Sequence, residues 1–107
     1  YLKDYPQSER NFLAAINNSP ESINAYSQLA TVYEYGYNNK TQEAENILLF
    51  GIKSNPKNAA LKILLAQYYE RQDKKALALK YFEEALSLDL TNQSLKRDVD
   101  RLRSNEP

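Results

Sequence analysis

A five-residue motif occurs twice in this chain, 36 residues apart. Leu-Ala-x2-Tyr at 29–33 recurs at 65–69. A second shared signature follows each copy, with Ala-x3-Leu-x2-Gly at 44–51 matched by Ala-x3-Phe-x2-Ala at 78–85. A fixed period in the thirties indicates stacked helical repeats, in which neighbouring units cover one another's apolar faces. Such arrays present surfaces and rarely carry out chemistry, so the period already limits the class of function.

The rest of the pattern is helical throughout. Apolar residues recur at spacings of three and four between regularly placed breakers, which predicts an all-α chain. Small residues at the repeated positions would let helices approach closely, and large ones would fill the space between them. We therefore expect helices near 6–18, 21–35, 41–54, 58–71, 74–88 and 92–104, with a core at Leu29, Ala30, Tyr33, Ala44, Leu48, Gly51, Leu65 and Phe82.

The signatures also predict how the chain is organised. It begins at Tyr1 rather than Met, so we expect a piece of a longer protein. Its first helix matches the second helix of a repeat, and the first repeat is two residues longer than the second. We expect both extra residues in the turn after Tyr35. The prediction is a single domain over 1–107, divided into a truncated repeat at 4–20, repeats at 21–56 and 57–90, and a capping helix at 91–104.

The last helix differs from the others. Leu95, Val99 and Leu102 form a narrow apolar stripe on a segment that is otherwise charged. Asp100 stands where a continuing array would need a small residue. A helix that is apolar on one side and charged on the other is what the end of an array requires.

The pattern resembles the tetratricopeptide repeat (TPR) family, whose 34-residue helix–turn–helix unit carries W-x2-L-G-x2-Y…A-x3-F…P. The resemblance covers about residues 4–92. It implies an α-solenoid of antiparallel helix pairs, with about two and a half TPR-like repeats in a right-handed superhelix and a C-terminal capping helix. The chain departs from the family pattern at several positions. Tyr26 replaces the family's Trp, and Lys62 stands at the corresponding position of the second repeat, beside apolar Leu61. Ala30 and Ala66 replace Gly, and Leu90 replaces the closing Pro.

Composition argues against most kinds of chemistry. The chain has no Cys and no His, only two Gly, and 14 basic residues that balance 14 acidic ones. It therefore lacks thiolate nucleophiles, imidazole bases, a Gly-rich phosphate loop and the positive excess that nucleic-acid binding needs. We predict no enzymatic activity, no catalytic, metal or cofactor site, no nucleic-acid partner and no membrane insertion. The compartment, cytoplasm or periplasm, is left open.

The resemblance implies where a partner would bind. In this family the first helix of each pair lines a concave groove that usually holds a peptide segment of another protein. The first lining row would be polar and uncharged, and the second would begin apolar and end in a cation. Either row could instead consist of solvated or packing residues. The lining positions are Asn24, Ser27, Gln28, Thr31 and Tyr35 in the first repeat, and Ala60, Ile63, Leu64, Gln67 and Arg71 in the second.

The predicted function is thus a protein–protein interaction scaffold. Tyr37, at the lengthened turn, is a possible further contact, because exposed tyrosines are favoured at binding hot spots. Its ring could equally be buried under the turn. Two alternatives stay open. One is a homo-oligomer formed through the first helix, whose face at Phe12 and Ile16 would lack a covering helix. The other is a non-catalytic regulatory domain of a multi-domain enzyme.

Overall fold

Six α-helices and one π-helical turn make up the regular structure of the described part of the chain. The computed structural model describes residues 5–37 and 40–104, and no strand occurs within these ranges. The predicted all-α class and all six predicted helices are confirmed, and when the π turn is counted with the second helix, their ends differ from the prediction by at most two residues. The elements are α1 (Tyr5–Asn18), α2 (Ile23–Thr31), the π turn (Val32–Gly36), α3 (Thr41–Ser54), α4 (Ala59–Arg71), α5 (Lys75–Leu88) and α6 (Gln93–Ser104).

Two compact units divide the chain, Tyr1–Pro56 and Lys57–Pro107. In the first unit α1 packs on α2, and α2 and the π turn pack on α3. In the second unit α4 packs on α5, and α5 packs on α6. Packing therefore follows chain order within each unit. The single domain predicted over 1–107 stays a prediction.

The core of the first unit is built from the repeated signatures. The predicted core positions on α2, the π turn and α3 are all buried, and Tyr26 is completely buried. The Tyr26 hydroxyl donates to the Pro20 carbonyl at 2.6 Å, and the Asn55 amide donates to the same oxygen at 2.9 Å. One carbonyl of the α1–α2 loop is thus held by α2 and by the residue that caps the end of α3. The core prediction is confirmed at Leu29, Ala30, Tyr33, Ala44, Leu48 and Gly51.

The second unit has the same buried signature positions as the first, but Lys62 stands where the first unit has Tyr26. Leu61 is completely buried, as expected from its place beside Lys62. The Lys62 ammonium group instead pairs with the Glu84 carboxylate of α5 at 2.8 Å. The apolar stripe of α6 is buried, and Arg101 of α6 donates to both carboxylate oxygens of Glu70 at 2.7 and 3.1 Å. Buried core positions in this unit include Leu65, Ala66, Tyr68, Tyr69, Ala78, Phe82, Ala85, Leu95, Val99 and Leu102.

The repeat extends to the helix starts. Asn58 precedes α4 and Asn92 precedes α6, 34 residues later. The Asn58 side-chain oxygen accepts from the Leu61 backbone N–H at 3.1 Å, and the Asn92 oxygen accepts from that of Leu95 at 3.0 Å. Asn is among the best residues at this position, because its side chain satisfies an N–H that the helix leaves unpaired.

The two extra residues of the first repeat divide between helix and turn. The nine residues of α2 and five of the π turn exceed the thirteen of α4 by one. Four residues, 37–40, then precede α3, whereas three, 72–74, precede α5. The prediction that both lie in the turn is wrong for one of them, because a π turn accommodates an extra residue without ending the helix. Residues 38 and 39 of the longer turn lie outside the described ranges.

The shorter turn of the second unit has a defined geometry. Asp73 adopts φ 59°, and it alone among the described non-glycine residues has a positive φ. The Lys74 N–H donates to the Tyr69 carbonyl at 2.8 Å, and the Asp73 N–H donates to that of Glu70 at 3.0 Å. This pair of bonds is the Schellman motif that ends many helices.

Candidate functional site

The polar row predicted on the first unit lies on the accessible side of its helix. We call Asn24, Ser27, Gln28, Thr31 and Tyr35 the α2 row. Ser27 is half-buried and the other four are exposed. Tyr35, at 65% exposure, is the most exposed aromatic side chain in the described part of the chain. The row therefore shares its helix with the buried core positions but does not take part in their packing.

Hydrogen-bonding capacity along the α2 row is uneven. The Thr31 hydroxyl donates to the Ser27 carbonyl at 2.9 Å, so it can only accept from a ligand. Within residues 5–37 and 40–104, the amides of Asn24 and Gln28 make no hydrogen bond. An amide side chain offers two donors and one acceptor oxygen. Each of these two can therefore pair with both polar groups of an extended backbone.

The corresponding row on the second unit has a different character. We call Ala60, Ile63, Leu64, Gln67 and Arg71 the α4 row. Ile63 and Leu64 are half-buried, whereas their neighbours Leu61 and Leu65 are completely buried. Part of each apolar side chain is thus still open to a ligand. The remaining three members are exposed.

Neither row carries a carboxylate, and the chain has no His or Cys to complete a proton-transfer or thiolate site. Over the described ranges, no three potential metal ligands of the Asp, Glu, His or Cys type are grouped closely enough to hold an ion. In that same part of the chain, no helix has the length and apolar character needed to cross a bilayer.

A separate group of side chains surrounds the Glu9 carboxylate. The Tyr33 hydroxyl donates to Oε2 at 2.7 Å, and the Tyr37 hydroxyl donates to Oε1 at 3.0 Å. The Lys40 ammonium lies 3.8 Å from Oε1 and 4.3 Å from the centroid of the Tyr37 ring. We call Glu9, Tyr33, Tyr37 and Lys40 the Glu9 cluster. It joins α1 to the π turn and to the segment that leads into α3.

Protonation in the Glu9 cluster follows from these contacts. The hydrogen bond from Tyr33 lowers the pKa of Glu9, with smaller contributions from Tyr37 and Lys40, and this outweighs the opposing effect of burial. Burial, followed by the bond to Glu9, raises the pKa of Tyr33 well above its ordinary value. Glu9 is therefore ionised at neutral pH and Tyr33 keeps its proton.

Close packing at the π turn positions a further ring beside this cluster. The Tyr5 ring centroid lies 5.8 Å from that of Tyr37. A Cβ atom at Gly36 would lie 2.6 Å from Cδ1 of Tyr5, so a larger residue would displace this ring. Gly36 thus allows α1 to approach the end of the π turn.

Sequence reasoning missed most of the Glu9 cluster. Glu9 and Tyr33 are 24 residues apart, and no local pattern links them. Tyr37 was expected as a loop contact, with burial under the turn as the alternative. It is half-buried, and both its hydroxyl and its ring have partners.

The apolar face predicted on α1 is wrong in its residues. Ile16 is 5% exposed and Phe12 is half-buried. They lie one turn apart on the inward side of the helix, whereas Leu13 lies on the next face and is 43% exposed. Leu13 borders a pocket of about 390 Å³ together with Phe50, which is 50% exposed. The other lining residues are Ile16, Asn17, Pro20 and Ile47.

Neither protein-family models nor curated proteins match this sequence. The resemblance to the tetratricopeptide repeat therefore rests on the chain's own residues, and on which of them are buried within each unit.

Proposed function

We propose that this chain is a TPR-like interaction module that binds an extended segment of a partner protein along the α2 and α4 rows. In this proposal the helix pairs stack as an α-solenoid, and α6 serves as its C-terminal cap. The observation that carries the proposal is the division of α2 and α4 into a buried face and an accessible face. The family motif accounts for the buried face. Seven of the ten row residues are exposed, and Ser27, Ile63 and Leu64 are half-buried.

The two rows would contribute differently to binding. Each amide-to-backbone hydrogen bond contributes about 0.5–1.5 kcal/mol, because water competes for the same groups. Asn24 and Gln28 would therefore set the register of the bound segment more than its affinity. Ile63 and Leu64 would supply apolar contacts to one or two hydrophobic anchors of the ligand. The expected ligand is thus an extended peptide with a short apolar element.

A peptide array that samples extended sequences tests this proposal. We expect a subset of peptides to bind, and the combined variant Gln28→Ala, Gln67→Ala, Arg71→Ala to bind them more weakly, because each lost hydrogen bond removes about 0.5–1.5 kcal/mol. A matched control replaces exposed residues outside both rows, as Asn46→Ala, Lys80→Ala, Gln93→Ala. Circular dichroism checks that both variants fold. Equal binding by the two variants would show that the rows are not the binding surface.

Self-association is the second candidate, because Leu13 and Phe50 expose apolar surface around the pocket of the first unit. A second copy of the chain would cover these side chains, and clustered exposed apolar residues often mark such contacts. Sedimentation velocity over a concentration series measures this. Dimers in the unmodified chain that disappear in Leu13→Glu would support it, and a monomer at all concentrations would exclude it.

A further inference from the structure

The chain already holds one ammonium group against a tyrosine ring and a carboxylate. The Lys40 Nζ atom lies 4.3 Å from the centre of the Tyr37 ring and 3.8 Å from Glu9 Oε1. A cation within about 6 Å of an aromatic centroid is attracted by the negative face of the ring. The carboxylate adds a full charge on the same cation. These two kinds of group are the ones that proteins combine to recognise alkylammonium ligands.

The ring and the carboxylate are held by contacts that do not involve Lys40. Hydroxyl groups of Tyr33 and Tyr37 fix the two oxygens of Glu9, and Tyr33 is itself 6% exposed. The Tyr5 ring packs beside Tyr37 at 5.8 Å. A site whose groups are already positioned loses little freedom when a ligand binds.

Lys40 is the least constrained member of the cluster. Its side chain is 37% exposed, whereas that of Glu9 is 23% exposed. It stands just before α3, where it makes no side-chain capping bond. Removing its ammonium group would therefore leave the Glu9–Tyr37 pair in place and open to solvent.

We propose that Glu9 and Tyr37 form a binding site for an alkylammonium group, which Lys40 occupies within the chain and which an external ligand takes by displacing it. The ligand is a lysine side chain of a partner protein or a small primary amine, since both present the same head group. The site lies on α1 and the segment after the π turn, so it is independent of peptide binding along the α2 and α4 rows.

Competition with Lys40 gives the proposal a measurable consequence. A tethered group acts at an effective concentration in the millimolar range, which weakens an external ligand of similar chemistry. We therefore expect Lys40→Ala to bind a lysine derivative at least about threefold more tightly than the unmodified chain. Adding Glu9→Gln to Lys40→Ala should weaken binding by about fivefold, because a neutral amide cannot replace the carboxylate.

The experiment titrates three probes into these proteins and follows the Tyr37 ring by NMR. N-acetyl-lysine-N-methylamide represents a partner's lysine, and butylammonium represents a small amine. The Nε-acetylated lysine derivative keeps the same four-carbon chain but lacks the charge. Lys53→Ala is the matched control protein, because Lys53 is exposed on α3 and outside the cluster.

The expected result is a saturable shift of the Tyr37 ring in Lys40→Ala with both charged probes. A nuclear Overhauser effect from the ligand's methylene group next to the ammonium nitrogen should accompany it. Tighter binding of the lysine derivative than of butylammonium would indicate that the ligand is a lysine side chain of a partner protein. Equal binding of the two probes would indicate that the ligand is a small amine. Either result supports the site. The proposal is overturned if the acetylated probe shifts the Tyr37 ring by an equal amount, or if Lys40→Ala binds the charged probes no more tightly than Lys53→Ala does.

A measurement on the unmodified chain guards against a misfolded variant. The Tyr37 ring should shift the ε-methylene protons of Lys40 upfield, and Glu9→Gln should reduce that shift. Protons of Lys40 at the same position as those of Lys53 would show that no ammonium is held there.

Discussion

Substitution of Gly51 by Ala is expected to destabilise the first unit, although alanine is the better helix former. Gly51 lies in the last turn of α3, against Tyr26. A Cβ atom there would lie 3.0 Å from Cδ1 and 3.1 Å from Cγ of the Tyr26 ring, which is closer than ordinary carbon contact. The consequence depends on whether that ring can retreat.

Tyr26 is held at both ends. It is completely buried, its hydroxyl donates to the Pro20 carbonyl at 2.6 Å, and its ring lies 6.4 Å from that of Phe50. Gly→Ala within a helix gains about 1 kcal/mol from propensity, whereas overpacking a filled core costs about 1–3 kcal/mol. We therefore expect the free energy of unfolding to fall by about 1 kcal/mol. Urea denaturation followed by far-UV circular dichroism measures it, and a rise of about 1 kcal/mol would refute the reasoning.

A double-mutant cycle separates the clash from other effects of the substitution. Tyr26→Phe removes the hydroxyl anchor, so the ring can shift away from a new methyl group. Gly51→Ala should then cost less in the Tyr26→Phe background, with an interaction energy of at least about 0.5 kcal/mol. An equal loss in both backgrounds would show that the anchored ring is not the cause.

Three further outcomes follow from the structure. Asp73→Gly should raise the free energy of unfolding by about 0.5–1 kcal/mol in urea titrations, because glycine adopts φ 59° without the strain of a side chain. Glu9 has a lowered pKa in the folded chain, so the stability it contributes is present above pH 4.5 and is lost as the pH falls through the folded value. Glu9→Gln should flatten this acid limb of a stability–pH profile, and an unchanged limb would contradict the assignment. Tyr33 has a raised pKa in the folded chain, so the stability it contributes is present below pH 10.0 and is lost as the pH rises through the folded value. Tyr33→Phe should therefore flatten the alkaline limb of the same stability–pH profile.

Periodicity predicted the helices and the core well, for a physical reason. Spacings of three and four place side chains on one face of a helix, so residues such as Leu29 and Phe82 could be assigned to the interior from the sequence. The same rule cannot say which of two adjacent apolar residues turns inward. Phe12 and Leu13 illustrate this, since a rotation of one face exchanges them: Phe12 is half-buried, whereas Leu13 is 43% exposed. The contact between Glu9 and Tyr33 could not be predicted from periodicity at all, because it depends on how α1 packs against the π turn.

The two-residue insertion in the first repeat, which the sequence predicted, lies next to the Glu9 cluster, which the sequence did not predict. In the second unit the helix ends in a Schellman turn at Asp73, and Glu70 pairs with Arg101 of α6. In the first unit a π turn extends the helix, and Tyr37 follows it with its hydroxyl on Glu9. The buried positions of the shared signatures are the same in both units, so the insertion changes the helix end without changing the core. The candidate alkylammonium site is therefore a local consequence of that insertion, whereas α4 of the second unit ends at Arg71 without a π turn from which to build such a site.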